Sequence, residues 1–193
     1  MKKVLLSAML AAFAATAAQA APITYTTVLN GANENPDINT AGTGTATVIY
    51  DAVTHLLSVD VTFSGLTGTT TASHIHCCQA DPLLNAGVAT TTPTFANFPL
   101  GVTSGTYFNT LNMTLASSWN PVFVNANGGT TATAEAVLAA GLAAGQAYLN
   151  IHTSFAGGGE IRGQLAAVPE PATLSLLGLG IAGLAARKRT RRS

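Results

Sequence analysis

The strongest restriction on the fold comes from residues 57–63, where apolar residues alternate with Ser, Asp and Thr. Successive side chains of a strand point to opposite faces, so this alternation predicts a strand with one buried and one exposed face. Several other short stretches, bounded by Gly-, Pro- and Asn-rich turns, also favour strands: 23–29, 42–50, 103–115, 146–153, 160–166 and a segment that begins near Ala72. Seven or eight short strands predict an all-β fold, an antiparallel β-sandwich or flattened barrel. Residues 90–100, with two prolines, are expected to be irregular or to form an edge.

One stretch favours a short helix, at about residues 133–144. Thr131 or Thr133 is available as the N-cap, and Gly145 as the terminator. Because position 132 is Ala, we expect no full capping box. The helix should lie over one end of the sheet.

Basic residues are concentrated at the two ends of the chain. Within residues 21–167 the one cation, Arg162, stands against seven acidic residues, which gives a net charge of −6. This balance disfavours nucleic-acid binding. The low charge density indicates an extracellular surface domain. Glu160 shares a strand face with Arg162, so we expect Arg162 to form a surface or half-buried pair with nearby carboxylates.

The N-terminus has the pattern of a signal peptide. Lys2 and Lys3 precede an uncharged, largely apolar run from Val4 to Ala18, and Ala18-Gln19-Ala20 supplies a small-x-small cleavage site. A membrane anchor is the alternative, but the apolar run is short. We therefore predict a signal peptide over residues 1–20, export through the Sec machinery, and cleavage by signal peptidase before Ala21.

The C-terminus combines Pro169-Glu170-Pro171, an uncharged run over 172–186 and an Arg-rich tail. Fifteen helical residues span only ~22 Å, less than the ~30 Å hydrocarbon core of a bilayer. The basic tail should stay in the cytoplasm. This short transmembrane helix suits a temporary inner-membrane anchor better than the alternative, an ordinary tail anchor.

These three parts in this order resemble the PEP-CTERM sorting signal of Gram-negative bacteria, here over residues 168–193. The resemblance implies Pro169, Glu170 and Pro171 as the sorting motif and an exosortase as processing partner. It also implies release to the cell surface, exopolysaccharide or biofilm matrix.

Three histidines are candidate ligands of a metal. In His74-Ile75-His76 the two imidazoles share one face of a strand, and His152 lies in a second alternating stretch. Imidazole is a ligand of both Cu and Zn. The His-x-His pair is also similar to the copper ligands of Cu/Zn superoxide dismutase, a likeness at the level of fold alone. The alternative is that the histidines hydrogen-bond to the backbone and align two strands.

Cys77 and Cys78 follow the pair directly and have no third cysteine to bind. Adjacent Cα atoms lie ~3.8 Å apart, closer than in most disulfides. Three interpretations stay open: a vicinal or intermolecular disulfide, metal ligands beside His76, or free thiols.

Most of the exported body resembles the CHRD domain, named after chordin and found also in bacteria. The matching stretches are 29–36, 42–46, His74-Ile75-His76, and 148–165, with Asn150-Ile151-His152-Thr153 and Gly159-Glu160-Ile161-Arg162-Gly163-Gln164 the most specific. Cys77-Cys78 and Gly158 depart from the family pattern. The resemblance implies a β fold over about residues 23–166, and we assign the CHRD domain to 21–167.

Motifs of nucleophilic catalysis and phosphate binding are absent from the sequence, so we do not expect an enzyme. The preferred function is an exported binding or structural protein of the cell surface, with exopolysaccharide or a surface protein as partner. The alternative is an extracytoplasmic redox metalloprotein that binds Cu or Zn through His74, His76 and His152.

Overall fold

The computed structural model describes residues 21–81 and 84–169. The strands are β1 Ile23–Asn30, β2 Thr43–Asp51, β3 Leu56–Ser64, β4 Thr70–His76, β5 Gly105–Asn112, β6 Tyr148–Thr153, β7 Ile161–Gln164 and β8 Ala166–Ala167. The helices are α1 Pro121–Ala126 and α2 Thr131–Ala143, with 3₁₀ turns at Gly31–Asn33 and Ala116–Ser118. Both predicted targeting helices lie outside these ranges. No helix within the ranges is long and apolar enough to cross a membrane.

All eight strands belong to one antiparallel sheet in the order β4-β6-β7-β1-β2-β3-β5, with β8 paired to β1. The sheet is curled like half of a barrel. The predicted all-β antiparallel fold of seven or eight strands is therefore confirmed. A single continuous sheet matches the flattened-barrel alternative.

The alternation that predicts β3 produces the core. Leu57, Val59, Val61 and Phe63 are all at most 2% exposed, whereas the polar residues between them are exposed or partly so. Val48 of β2 lies opposite Val59 and is fully buried. Burial of each such side chain contributes about 1.5–3 kcal/mol. The hydrophobic effect therefore fixes which face of the sheet turns inward.

The predicted helix is present as α2, but its start differs from the prediction. Thr130 caps it, not Thr131 or Thr133, and a capping box forms because the Thr133 hydroxyl accepts from the Thr130 N–H at 3.3 Å. A threonine at the third position thus does what a glutamate would do, which overturns the expectation of no box. Gly145, with φ +67°, follows the last turn as predicted.

A second helix, α1, was not predicted. Its signal is in the sequence: Asn120 accepts a hydrogen bond from the Val122 N–H, and Pro121 occupies the first helical position. Only six residues long, the helix carries too little apolar periodicity to be recognised.

β4, β6 and β7 are buried on both faces, and this double burial encloses the candidate histidines of β4 and β6. Ile75, Leu149 and Ile151 fill the core from one face. On the other face lie polar side chains, covered by loops. One of these loops runs along the free edge of β4, where the Ala89 N–H donates to Ile75 O at 2.9 Å and the Phe95 N–H to Ser73 O at 3.0 Å. Residues 90–100 lie at this edge without forming a named strand, as predicted.

Candidate metal centre

Neighbouring strands bring the three histidines together. β4 and β6 are antiparallel, with Ala72 opposite His152, His74 opposite Asn150 and His76 opposite Tyr148. His152 is therefore diagonal to His74 on the same face. The ring centroids lie 5.0 Å apart for His74 and His152, and 5.6 Å for the other two pairs.

In each imidazole one nitrogen is held by a backbone carbonyl. His74 Nε2 lies 2.5 Å from Pro93 O, His76 Nδ1 lies 2.9 Å from Ala86 O, and His152 Nδ1 lies 3.0 Å from Gly157 O. A carbonyl oxygen can only accept, so each of these nitrogens must carry the proton. In a neutral ring the second nitrogen then presents a lone pair.

Those second nitrogens have no hydrogen-bond partner and are buried: His74 Nδ1, His76 Nε2 and His152 Nε2. His74 and His76 are only 6% and 7% exposed, and His152 is half-buried. Buried polar atoms in proteins are almost always paired, so three unpaired nitrogens in one cluster need an explanation.

The histidines are neutral at neutral pH. Burial lowers the pKa of His74 and of His76 to about 4, against the opposing effect of the carbonyl hydrogen bonds. Burial also lowers the pKa of His152. Neutral imidazole is the form that coordinates a metal ion.

The donor set fits a transition-metal ion. One ring nitrogen of each histidine lies within 4.8 Å of one ring nitrogen of each of the others. Zn–N bonds of ~2.0–2.1 Å separate two ligand nitrogens by about 3.3 Å, so shifts of about 1 Å would complete a site. Among residues 21–81 and 84–169, this is the one convergent group of three or more His, Cys, Asp or Glu side chains. Three protein ligands leave a fourth position open.

A stack of aromatic and cationic groups supports His76. Tyr148 lies against its ring, and the Arg162 guanidinium lies 4.6 Å from the centroid of the Tyr148 ring. The Ala86 N–H donates to the Tyr148 hydroxyl at 3.1 Å, while Ala86 O accepts from His76. Tyr148 and His76 are therefore held by the same residue.

Arg162 pairs with a carboxylate, as expected, but the pair is buried and not at or near the surface, and the carboxylate is that of Glu34. Arg162 is 2% exposed, and its Nε lies 3.9 Å from Glu34 Oε2 and donates to Asn33 O. Its Nη1 donates to Asn85 Oδ1 at 2.7 Å.

Glu160 is instead satisfied by neutral donors. Its carboxylate accepts from Thr40, Thr153 and the backbone N–H groups of Thr67 and Gly68. Three of these hydrogen bonds fasten two loops to the end of the sheet, and the fourth comes from Thr153 of β6.

Cys77 and Cys78 form a vicinal disulfide. Cys77 belongs to the hydrophobic core, and Cys78 Sγ lies 3.7 Å from Val137 O of α2. A Cβ at Gly141 would collide with both sulfur atoms. In the structure, α2 therefore packs on the disulfide through a glycine.

His55 lies apart from the cluster. Its Nδ1 contacts both carboxylate oxygens of Glu135 at 3.0 Å, and Tyr50 donates to the same carboxylate at 2.9 Å. These bonds tie the β2–β3 turn to α2.

Three residues next to the cluster were not selected from the sequence as site residues: Tyr148, Asn150 and Glu34. Tyr148 and Asn150 alternate with His152, so the period of the strand already places them on its face. Glu34 follows the 3₁₀ turn and has no periodic signal. It lines a cavity of about 460 Å³ together with Asp37 and Arg162.

The end of the described chain lies next to its start. The Val168 N–H donates to Thr24 O at 2.8 Å, and Pro169 is the last residue described. Glu170 and Pro171 of the predicted sorting motif lie outside the described residues.

Two family models match the sequence. One is described as the CHRD domain and matches residues 25–165. The other, described as the PEP-CTERM protein-sorting motif, matches residues 167–192. No curated protein and no solved structure matches the chain.

Proposed function

We propose, starting from the fact that the chain belongs to the CHRD domain family, that it binds one Cu or Zn ion outside the cytoplasm through His74, His76 and His152. Its PEP-CTERM motif marks it as an exported protein that an exosortase processes. The observation that carries the proposal is the convergence of three neutral imidazoles, each with one buried, unpaired nitrogen.

The purely structural alternative explains less. Hydrogen bonds to carbonyl groups would align the strands and loops with one nitrogen of each ring. The other three nitrogens would remain buried without a partner, and each such atom costs about 1–3 kcal/mol. A bound metal ion removes this penalty and uses the carbonyl bonds to orient the ligands.

Elemental analysis of the purified protein tests the proposal. We expect about one equivalent of Cu or Zn per chain in the wild type and loss of the metal in His76→Ala. His55→Ala is the matched control, because this histidine bonds to Glu135 and lies outside the cluster. A folded wild-type protein that takes up neither metal would overturn the proposal.

The open fourth position distinguishes two uses of the metal. A structural zinc ion normally has four protein ligands, whereas catalytic and redox sites keep one position free. Three histidine ligands therefore favour a reactive or redox-type centre. Binding of a small anion such as azide to the copper-loaded protein, followed by absorption spectroscopy, would report the free position.

A second candidate function is a binding or structural role at the cell surface or in its exopolysaccharide. The outer face of β1, β2, β3 and β5 supports it. Val28, Thr45, Thr62 and Thr106 form one row across the four strands. Phe108, 70% exposed, stands beside this row. Hydroxyl groups and an exposed aromatic ring suit a sugar polymer better than a charged partner.

Retention on the polysaccharide fraction of the native matrix tests this second role. We expect Phe108→Ser to reduce retention, and Phe155→Ser, an equally drastic change at another exposed phenylalanine, to leave it unchanged. Equal retention of both variants and the wild type would reject the surface.

A further inference from the structure

Two unpaired buried oxygen atoms lie together beside the histidine cluster. Glu34 Oε1 and Asn150 Oδ1 have no hydrogen-bond partner, and their residues are 7% and 2% exposed. Both side chains reach the same point: a Cβ at Gly159 would lie 2.7 Å from Glu34 Oε1 and would collide with the Asn150 amide. With the Asn150 amide in this orientation, the two acceptors can bond to each other only if Glu34 carries a proton.

Asn150 connects this pair to the candidate metal ligands. It lies opposite His74 on β4 and opposite Arg162 on β7, and it shares its face of β6 with His152. Glu34 has the cavity of about 460 Å³ on its other side, which the exposed Asp37 also lines. Asn150 therefore shares the face of the histidines, and Glu34 borders the cavity.

We propose that Glu34 and Asn150 form a proton-exchange pair for the histidine site, in which protonated Glu34 donates a hydrogen bond to Asn150 Oδ1 and releases its proton to solvent when a cation binds the three imidazoles. The step breaks the Glu34 O–H bond, transfers the proton to water in the cavity and leaves a carboxylate. The new negative charge offsets part of the charge of the ion. This inference rests on the proposed metal-binding function.

The charges around Glu34 fit this role. Arg162 Nε lies 3.9 Å from Glu34 Oε2 and favours the carboxylate, while Asp37, which lines the same cavity, is exposed to solvent. Tyr148 faces Arg162 as a neutral ring. Burial outweighs the attraction of Arg162 and raises the pKa of Glu34 to about 7. A nearby divalent cation then lowers that pKa.

The source of the proton can be identified because two of the three ligands have none to give at pH 6. With a pKa of about 4, His74 and His76 are already neutral at pH 6. Burial also lowers the pKa of His152, so a proton that the wild type releases and Glu34→Gln does not release comes from Glu34.

The test is a titration of the purified, metal-free protein with Zn²⁺ in two buffers of different ionisation enthalpy, which counts released protons by calorimetry. We expect about half a proton per Zn²⁺ at pH 7, rising toward about one at pH 6. Glu34→Gln should bind Zn²⁺ and release none, since its amide can still donate to Asn150 but cannot ionise. Asp37→Asn, in the same cavity, should release as many protons as the wild type.

Release of equal proton numbers by Glu34→Gln and the wild type would overturn the inference, because the proton would then come from another source such as metal-bound water. Stoichiometric Zn²⁺ binding without any release would overturn it as well. A wild-type protein that binds no Zn²⁺ or Cu²⁺ would overturn the metal proposal itself, and this inference with it.

A carboxyl ¹³C NMR titration of the metal-free protein checks separately whether Glu34 carries a proton near neutral pH before a metal binds. A Glu34 resonance that titrates near pH 7 supports the protonated pair, and one that titrates near pH 4 contradicts it.

Discussion

The ring of Tyr148 lies parallel to the imidazole of His76, with 4.8 Å between the centroids and 6° between the planes. Strand register places the two residues directly opposite each other on β6 and β4. The guanidinium of Arg162 covers the phenol ring as well. His76 is thus fixed by a stack on one side and by Ala86 O at its Nδ1.

Tyr148→Phe should weaken metal binding without unfolding the protein. The change keeps the stack but removes the hydroxyl that holds Ala86, so the carbonyl acceptor of His76 is less firmly positioned. Loss of such a supporting group reduces metal affinity by about 10–100-fold. Competition with a chelator of known affinity measures the effect. Tyr107→Phe, at a buried tyrosine of β5 that stacks on Phe95, is the control, and equal affinities of the two variants would reject this role.

Acid should destabilise the metal-free protein at a pH where most proteins are still stable. His74 and His76 have a folded pKa of about 4, while an unfolded histidine has ~6.5. Between these values the unfolded chain binds more protons, so the free energy of unfolding falls as the pH is lowered. The loss is at most about 3 kcal/mol for each histidine.

Glu34 has the opposite effect on the pH dependence of stability, over a pH range that overlaps the range of the two histidines. Its pKa is raised to about 7 in the folded state, so the folded chain gains a proton there before the unfolded chain does. Glu34→Gln should therefore show a steeper acid loss than the wild type. Urea unfolding between about pH 7.5 and pH 5, with a chelator present, measures how the free energy of unfolding of the wild type and of Glu34→Gln changes with pH. Stability that is independent of pH in both proteins would contradict the prediction.

Gly141→Ala should destabilise the protein, although alanine is the better helix former by about 1 kcal/mol. The added methyl group collides with both sulfur atoms of the Cys77–Cys78 disulfide. Overpacking of this kind costs about 1–3 kcal/mol. Thermal unfolding of Gly141→Ala and the wild type shows whether the substitution lowers or raises the stability of the protein.

The same substitution in a Cys77→Ala, Cys78→Ala background is the matched control. Without the sulfur atoms, the helix propensity should dominate and Gly141→Ala should become neutral or stabilising. A loss of the same size in both backgrounds would show that the disulfide is not the obstacle.

Glu170→Ala should leave the protein in the membrane fraction. The substitution disrupts the Pro-Glu-Pro motif that an exosortase is expected to recognise, while the apolar run and basic tail remain. Fractionation of cells that express the two forms measures release. Release equal to that of the wild type would count against recognition at Glu170.

Local patterns account for the strands and for part of the site. Alternation predicts β3, and the two-residue spacing places His74 and His76 on one face. The pairing of β4 with β6 joins residues about 76 positions apart, and no local pattern determines that register. The position of His152 beside His74 therefore required the structure, although each histidine was selected from the sequence.

Glu34 and Arg162 show a second feature that the sequence does not predict, the burial of a charged group. Arg162 was expected in a pair near the surface, since an isolated buried cation is costly. In the folded chain Asn33, Asn85, Glu34 and Tyr148 surround it, and these come from three separate segments. Burial of a charge depends on such an assembled environment, which residue type and spacing do not reveal.

The pairing of β1 has a consequence for the order in which the domain can form. β1 lies in the middle of the sheet, with β2 on one side and β7 and β8 on the other. β2 follows within the same hairpin, but residues 161–167 are almost the last of the domain to be synthesised. Until they arrive, β1 keeps an open edge, and β4 and β6 have no neighbour that joins them to the rest of the sheet. The sheet therefore cannot be completed around β1 until nearly all of the domain has been made.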